Sequence, residues 1–525
     1  MQKNTLLILD INKNYQFKEK NIKFVMLNRG LINLENCEQI FLKDFAQEKI
    51  KIYKKLINQI SKSASKNIYQ NIPLIEFEIN NLRNDRYNFI DRILNFTVLK
   101  KIIQSKKIKK IKIVSDNENT FSIYENLNLD IEKIDLSSSD KRLNFFRLRL
   151  IKFYLKTFIV LIFLFIFKKK YYPKDYEEFH FSIFPNSFDY DKKKEGRKFA
   201  NFLLTDETHL NHNLFQIFKN IISLNNKNIV NIENFISFRY LSKLILKTFF
   251  LKKIPKQLLD DFNIDGLNFN NEIKIFYETS FLNRAKLLIY DEAIPKFLKK
   301  FNIKKFHLYL FEYSFGFYLI NKIRKFSKNI YITGYQHGIF SNNLFWLDVV
   351  VKIKDKKNYI PNKIFASNNY SLEDYKIKFK DKNIDRINKS KLKKNFFFNK
   401  ILINKKSKNI IILAGTHDVS DLYYFFRNTK KFKDKRIYFK LHPKNKFLIK
   451  NIDNIKTVDN LNTKNYSNII ISQTSSLIYY FLKMKIKFFM IDIDYKNDLI
   501  NSKIRKKTSF ISRKNIHDKK ITIKI

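Results

Sequence analysis

The chain has 525 residues and a formal net charge of +53, from 102 Lys and Arg against 49 Asp and Glu, and 45% of it is hydrophobic. That apolar content, with 54 Phe and 28 Tyr, excludes a disordered chain, and the length calls for more than one domain. The single cysteine, Cys37, excludes a disulfide framework or a thiolate metal site within one chain.

The charge invites a nucleic-acid reading, but no recognition motif accompanies it and the lysines are scattered rather than grouped in an arm. Lys, Asn, Ile, Phe and Tyr are abundant while Gly and Pro number only seven each. A genome biased toward A/T-rich codons accounts for that pattern. The expected partner of the charge is an anionic membrane surface or an anionic substrate, not a nucleic acid.

From the N-terminus, "MQKNTLLILDINKN" lacks the long apolar core of a signal peptide, so a cytoplasmic location is expected. "TLLILD" (5–10) reads as a buried strand ending in an acidic turn, and "IKKIKIVS" (108–115) as another. The segment 141–174, "KRLNFFRLRLIKFYLKTFIVLIFLFIFKKKYYPK", breaks the pattern with ten Lys or Arg and no acid. Its uncharged run, Thr157–Phe167, has 11 residues. At about 1.5 Å per residue it covers about 16 Å, against about 30 Å of bilayer core, so a span is not expected. The segment reads either as a helix lying on an anionic leaflet or as a buried helix with a basic entry.

Further strands are expected at 179–185, 306–312 and 329–335, then in a regularly spaced group at 409–415, 436–442, 468–473 and 486–494. Most are continuous apolar runs, as in strands covered on both faces of a parallel sheet, and helical stretches separate them. The polar stretch 352–370 marks a domain boundary, with 1–355 before it, a domain at 365–510 after it, and a basic tail at 511–525.

Residues that carry chemistry cluster at strand ends, where ligands bind in open α/β sheets. "YITGYQHGIF" (331–340) places Gly334, Gln336, His337 and Gly338 in one turn. The glycines permit positive φ or close backbone approach, and His337 could serve as a general base or hold a phosphate. Glu312 either caps the helix that follows it or faces the same crevice as an acid/base group. "YFKLHPKNK" (438–446) holds His442 against Pro443 among lysines, which suits a phosphate. "NIIISQTSSLIYYF" (468–481) ends a strand in Thr474, Ser475 and Ser476, which cap a helix or bind an anion. Gly415, Thr416, His417 and Asp418 open the late domain in the same manner, as a βα turn or a contact to the nucleotide or transferred group. P-loop and dinucleotide glycine motifs are absent, and Asp492-Ile493-Asp494 closes an apolar strand and is not expected to hold a metal.

The order Gln-His-Gly, His-Pro, Ser-Ser, each at a strand end, resembles bacterial surface-polysaccharide glycosyltransferases of the GT-B fold over about residues 305–495. The likeness is to capsular Kdo transferases, sialyl- and polysialyltransferases, and also to CDP-glycerol glycerophosphotransferases. The resemblance implies two Rossmann-like domains facing a cleft, with the basic segment 141–174 inserted in the N-terminal half. It implies that His442, Pro443, Thr474, Ser475 and Ser476, with Gly415 and Thr416, hold the donor phosphate. Gln336, His337 and Gly338 would face the acceptor, with His337 or Glu312 as base. The implied reaction is sugar transfer from a nucleotide donor, CMP-linked in the first place, to a surface polysaccharide or lipid-linked glycan. Neither a metal nor a further cofactor is expected, and the enzyme would sit at the inner face of the cytoplasmic membrane on anionic lipids. One alternative is glycerophosphate transfer, disfavoured because Gln473-Thr474 stands where those enzymes usually carry an Asp before the serine pair. The other is a non-catalytic basic protein that binds membrane or nucleic acid.

Overall fold

A computed structural model of the chain describes residues 4–10, 22, 24–27, 38–40, 45–66, 68–69, 72–73, 89–116, 119–124, 127, 129–136, 142–167, 176–182, 202–206, 214–223, 229–250, 263–264, 267–270, 272, 287–309, 311–336, 338–352, 355–380, 383–387, 401–415, 418–429, 432–442, 449, 454–459, 461, 465–473, 475–492 and 500–512. Three parallel sheets organise them. The first consists of β1 (Thr5–Asp10), β2 (Phe24–Leu27), β3 (Glu38–Ile40), β4 (Lys110–Ser115) and β5 (Asp130–Asp135), in the order β3-β2-β1-β4-β5. Helices α1 (Ala46–Lys66) and α2 (Phe89–Lys106) pack with it, and α3 (Arg142–Ile166) follows.

The second sheet holds β6 (Glu178–Ser182), β7 (Phe202–Thr205), β8 (Ile229–Asn231), β9 (Lys305–Tyr309), β10 (Tyr331–Tyr335), β11 (Lys363–Ala366) and β12 (Asn383–Arg386), in the order β8-β7-β6-β9-β10-β11-β12. Its connections include α4 (Leu214–Ser223), α5 (Phe238–Phe249), α6 (Ile289–Lys300), α7 (Ser314–Phe326) and α8 (Asn369–Lys378). The third sheet holds β13 (Asn409–Leu413), β14 (Arg436–Lys440), β15 (Ile455–Thr457), β16 (Asn468–Ile471), β17 (Phe489–Asp492) and β18 (Ser509–Ser512), in the order β15-β14-β13-β16-β17-β18. Helices α9 (Val419–Asn428), α10 (Leu477–Lys483) and α11 (Ser502–Lys507) belong to it.

Each sheet winds outward from its first strand to its third, then returns to start again on the other side of the first. The order therefore reverses once per sheet, at β1/β4, β6/β9 and β13/β16. This is the doubly wound, Rossmann-like order, and it leaves a crevice at the carboxyl ends of the two strands where the winding reverses. The third sheet shows why its strands are continuous apolar runs. Ile410 and Ile412 of β13 enter one buried cluster with Phe439, while Ile411 and Leu413 enter another with Tyr438. Alternate side chains thus serve opposite faces, and both faces are covered.

The chain is α/β with parallel sheets, as its sequence indicates, but its first 355 residues hold two such sheets instead of one. A single continuous core joins them, from Leu6 to Ile387. The seam is α1 against 345–351: Tyr53 packs on Phe345 with ring centroids 5.7 Å apart, and the Ser61 hydroxyl donates to the Val349 carbonyl at 3.3 Å. The stretch 352–370 does not separate domains, because β11 and β12 extend the second sheet, and the passage to the third sheet follows residue 387. Of the basic tail, residues 511–512 belong to β18 and 513–525 lie outside the described residues.

Helix α3 takes up most of segment 141–174, with one face buried and the other exposed. Leu150, Tyr154, Val160, Leu161 and Leu164 are buried, whereas Leu148, Leu155, Ile162 and Ile166 are exposed. Among the described residues, no helix is long and apolar enough to cross a membrane. Residues 168–174 lie outside the described residues.

One buried histidine links the second sheet to pH. His180 of β6 is fully buried, and burial, aided by neighbouring His307, depresses it from 6.5 to about 3. A depressed folded-state value means that the unfolded chain takes the proton first, so stability falls as pH drops below about 6.5 and continues to fall toward about 3. We predict that His180→Phe flattens the loss of stability between pH 6 and 4 by up to about 1.4 kcal/mol per pH unit. Urea titrations at fixed pH values check this, and an unchanged slope refutes it.

Candidate functional site

The motifs singled out by sequence stand at the carboxyl ends of central strands in the second and third sheets. In the third sheet, β14, β13 and β16 lie side by side, with Lys440, Leu413 and Ile471 in register. His442, Gly415 and Gln473 therefore each stand two residues beyond a common level. With strands about 4.8 Å apart, His442 and the 472–476 loop are separated by on the order of 10 Å across β13. The reversal point β13/β16 lies between the loops 414–418 and 472–476.

Those two loops are tied together. Asp418 occupies the N-cap position of α9 but makes no side-chain cap. Its carboxylate instead accepts from the Ser472 hydroxyl, with oxygen distances of 2.6 and 2.5 Å, and both residues are buried. Ser475 Oγ accepts the Leu477 N–H at 3.3 Å, while Ser476, the N-cap residue of α10, is exposed and makes no side-chain cap. Capping therefore uses one serine of the pair and leaves the other hydroxyl facing out. His442 is exposed at the strand end, and Lys440 beside it donates to the Asp459 carbonyl at 2.8 Å. Thr416, His417, Pro443 and Thr474 lie outside the described residues.

In the second sheet, Glu312 is buried in the turn between β9 and α7. It does not cap α7, whose N-cap residue is Tyr313. This turn follows β9, a strand of the reversal pair β6/β9, and it folds over β10. Gly334 shows how closely: a Cβ there would stand 2.7 Å from Phe311 Cδ1 and 2.7 Å from Pro361 Cγ. Close approach explains this glycine, since neither Gly334 nor Gly338 lies in the left-handed region. Gly338 is different, because a Cβ there would meet nothing within 4 Å. His337, between them, lies outside the described residues.

Gln336 occupies a central position between the two halves. Its Oε1 accepts from the Ser367 N–H at 2.8 Å and from the Ser367 hydroxyl at 3.0 Å. Its Nε2 donates to the Gly338 carbonyl at 2.7 Å and to Ser371 Oγ at 2.8 Å. An amide has two donors and two acceptor positions, so the side chain is saturated. It holds the Gly338 carbonyl and has no valence left for a substrate. Ser371, at the start of α8, donates to the Tyr479 hydroxyl of α10 at 3.0 Å. Tyr479 also meets Phe340, accepting from its N–H and donating to its carbonyl, each at 3.1 Å. The 336–341 turn is thereby pinned against α10, the helix that the Ser475–Ser476 loop leads into.

Sequence reasoning missed Ser371 and Tyr479, and no local signal marks a tyrosine within "LIYYF" as a bridging residue. It also missed the rest of this contact. Asn501 donates to Asp374 at 2.7 Å, Lys503 pairs with Glu373 at 2.7 Å, and Tyr370 stacks on Tyr479 with centroids 6.5 Å apart. Burial raises the Asp374 carboxyl above its ordinary range, partly opposed by the Asn501 bond.

The site is therefore a set of strand-end loops on two doubly wound parallel sheets, joined through α8 and α10. No protein-family model matches the chain, and no curated protein is similar enough to it to count as a relative.

The packing at the two glycines separates fold from function. Gly334→Ala should cost about 1–3 kcal/mol by overpacking against Phe311 and Pro361, whereas Gly338→Ala should change stability by less than about 0.5 kcal/mol. Ser472→Ala deprives the buried Asp418 carboxylate of a donor and should cost about 1–3 kcal/mol. Denaturant titration of the three variants checks both statements, and equal stability of the two glycine variants refutes the first.

Proposed function

We propose that the chain is a glycosyltransferase of GT-B type, with the second and third sheets as its two working domains. It moves a sugar from a nucleotide donor, CMP-linked in the first place, to a surface polysaccharide or lipid-linked glycan. The observation that carries this reading is the meeting of strand-end loops from both sheets around the Gln336–Ser371–Tyr479 bridge, with exposed Ser476 on one side and the open space beside Gly338 on the other. A two-domain transferase needs its donor loops and acceptor loops brought together in this way.

In this reading His442, Ser475 and Ser476, with Gly415, hold the donor phosphate, and the flanking lysines add positive potential. The acceptor hydroxyl oxygen attacks the anomeric carbon, forming the new glycosidic bond. The bond from that carbon to the phosphate oxygen breaks, and the nucleotide leaves with the electron pair. The acceptor proton passes to His337, or to Glu312 in the neighbouring turn. Gln336 acts as a positioning residue, because its amide is already saturated. Activity at the inner face of the cytoplasmic membrane, where lipid-linked acceptors are met, belongs to the same reading.

The test begins with thermal shifts in CMP, CDP, UDP and GDP. CMP should raise the melting temperature most, and a ligand at a hundred times its dissociation constant stabilises by about 2.7 kcal/mol. His442→Ala and Ser475→Ala/Ser476→Ala should abolish that shift, and His337→Ala should keep it while removing sugar transfer from a CMP-linked donor. A shift with no nucleotide, or one indifferent to His442 and the serines, rejects the reading. Release of CMP with a phosphodiester product from a CDP-alcohol would replace it with glycerophosphate transfer.

A further inference from the structure

Soluble domains scatter their exposed apolar side chains, whereas here they are gathered. Of the eighteen large hydrophobic residues exposed among the described residues, thirteen belong to α3, α4 and α5 or to the residue that follows α3 or α5. Along α3 the exposed positions Leu148, Leu155, Ile162 and Ile166 form one stripe at helical spacing, opposite the face buried in the core. The same stripe includes exposed Lys152. Helix α5 repeats the pattern, with Leu246 and Phe249 exposed and Leu241 and Leu244 buried.

The three helices form one surface. Phe158 of α3 meets Phe238 of α5 with centroids 5.1 Å apart, and Phe238 is itself exposed. Phe163 of α3 meets Phe218 of α4 at 5.1 Å, and Val160 and Leu164 share a small buried cluster with Ile217 and Ile221. The contacts that join the helices thus reach the solvent side, which makes the exposed faces continuous at their rims. Patches of this kind mark interaction sites.

Charge decides the occupant. The sequences of α3, α4 and α5 contain nine Lys or Arg and no Asp or Glu. Arg149 and Lys152 on α3, and Arg239, Lys243 and Lys247 on α5, are exposed beside the apolar stripe. The acid nearest to α5 in the contacts of its cap is Glu292, which is engaged with Ser237 and Lys296. A protein partner with an apolar face would not need nine cations on three helices that carry no acid, whereas a bilayer with anionic head groups matches both features at once. We propose that the joined outer faces of α3, α4 and α5 form a docking surface for an anionic phospholipid bilayer, with the apolar stripe at the acyl boundary and the cations among the head groups. This inference stands independently of the glycosyl-transfer reading.

The test is co-sedimentation of the full chain with phosphatidylcholine vesicles and with the same vesicles doped with phosphatidylglycerol. Binding is expected only to the doped vesicles and should weaken with salt. Leu155→Ser/Phe165→Ser/Leu246→Ser/Phe249→Ser alters exposed positions only, so it should melt as the unaltered chain does and lose the binding. Lys243→Glu/Lys247→Glu should lower partitioning at least about tenfold. Equal binding to both vesicle types, or undiminished binding of both variants, overturns the proposal. So does a concentration-dependent dimer in light scattering with no vesicle binding, which would assign the face to a second copy. If the serine variant fails to fold, the charge-reversal variant and the salt dependence of the unaltered chain decide the matter by the same criteria.

Discussion

The side-chain amide of Gln336 is the constraint through which the two candidate working halves meet. Every hydrogen-bonding position on it is used, and its partner Ser371 passes the connection to Tyr479 on the other sheet. Tyr479 is likewise saturated, accepting twice and donating once, and burial pushes its phenol up to about 12, so it stays neutral and able to do both. Phe340 stacks on Tyr375 with ring centroids 3.6 Å apart and roofs this polar knot with apolar surface. In such low-dielectric surroundings a fully satisfied network is specific, and the loss of one member strands the others. The backbone at Gly338 and Phe340 is therefore held by a contact that reaches the third sheet.

The large net charge plays little part in that arrangement. The cationic excess is mostly on the surface, and the pairs made there, such as Lys304 with Glu177 or Lys101 with Glu48, are exposed and contribute little. A contrasting pair is buried. Asp10, at the end of β1, accepts from Arg92 Nε at 2.9 Å and from the hydroxyl of Thr120. It stands at the reversal point of the first sheet, so that crevice is occupied by the chain's own side chains, whereas the corresponding loops of the third sheet leave Ser476 and His442 exposed. Among three sheets of one winding order, the crevice chemistry differs, and function follows the site instead of the fold.

The strands that could be read from sequence were the central ones. The nine expected runs correspond to β1 and β4, to β6, β9 and β10, and to β13, β14, β16 and β17. Strands nearer the edges escaped: β5 reads "DIEKID", β12 reads "NIDR", and β3 and β15 have three residues each. The physical cause is burial. A central strand of a doubly wound sheet is covered on both faces and needs an unbroken apolar run, while an edge strand is short, half solvated and free to carry charge. The first sheet escaped as a separate unit because, beside β1 and β4, its strands are short or charged: β2 has four residues, β3 has three, and four of the six residues of β5 are charged.

By itself the sequence determined the parallel α/β class, the strand ends at which Glu312, Gln336, Gly415, His442 and Ser475 stand, and the amphipathic, acid-free character of α3. These are local properties, written in runs of apolar residues and in the turn residues that end them. Only the tertiary structure decided that β11 and β12 extend the second sheet, that Gln336 is saturated, that Ser472 closes on Asp418, and that α4 and α5 continue the exposed face of α3. Each of these joins residues far apart in the chain, and hydrogen-bond partners and shared faces at that separation leave no trace in local periodicity.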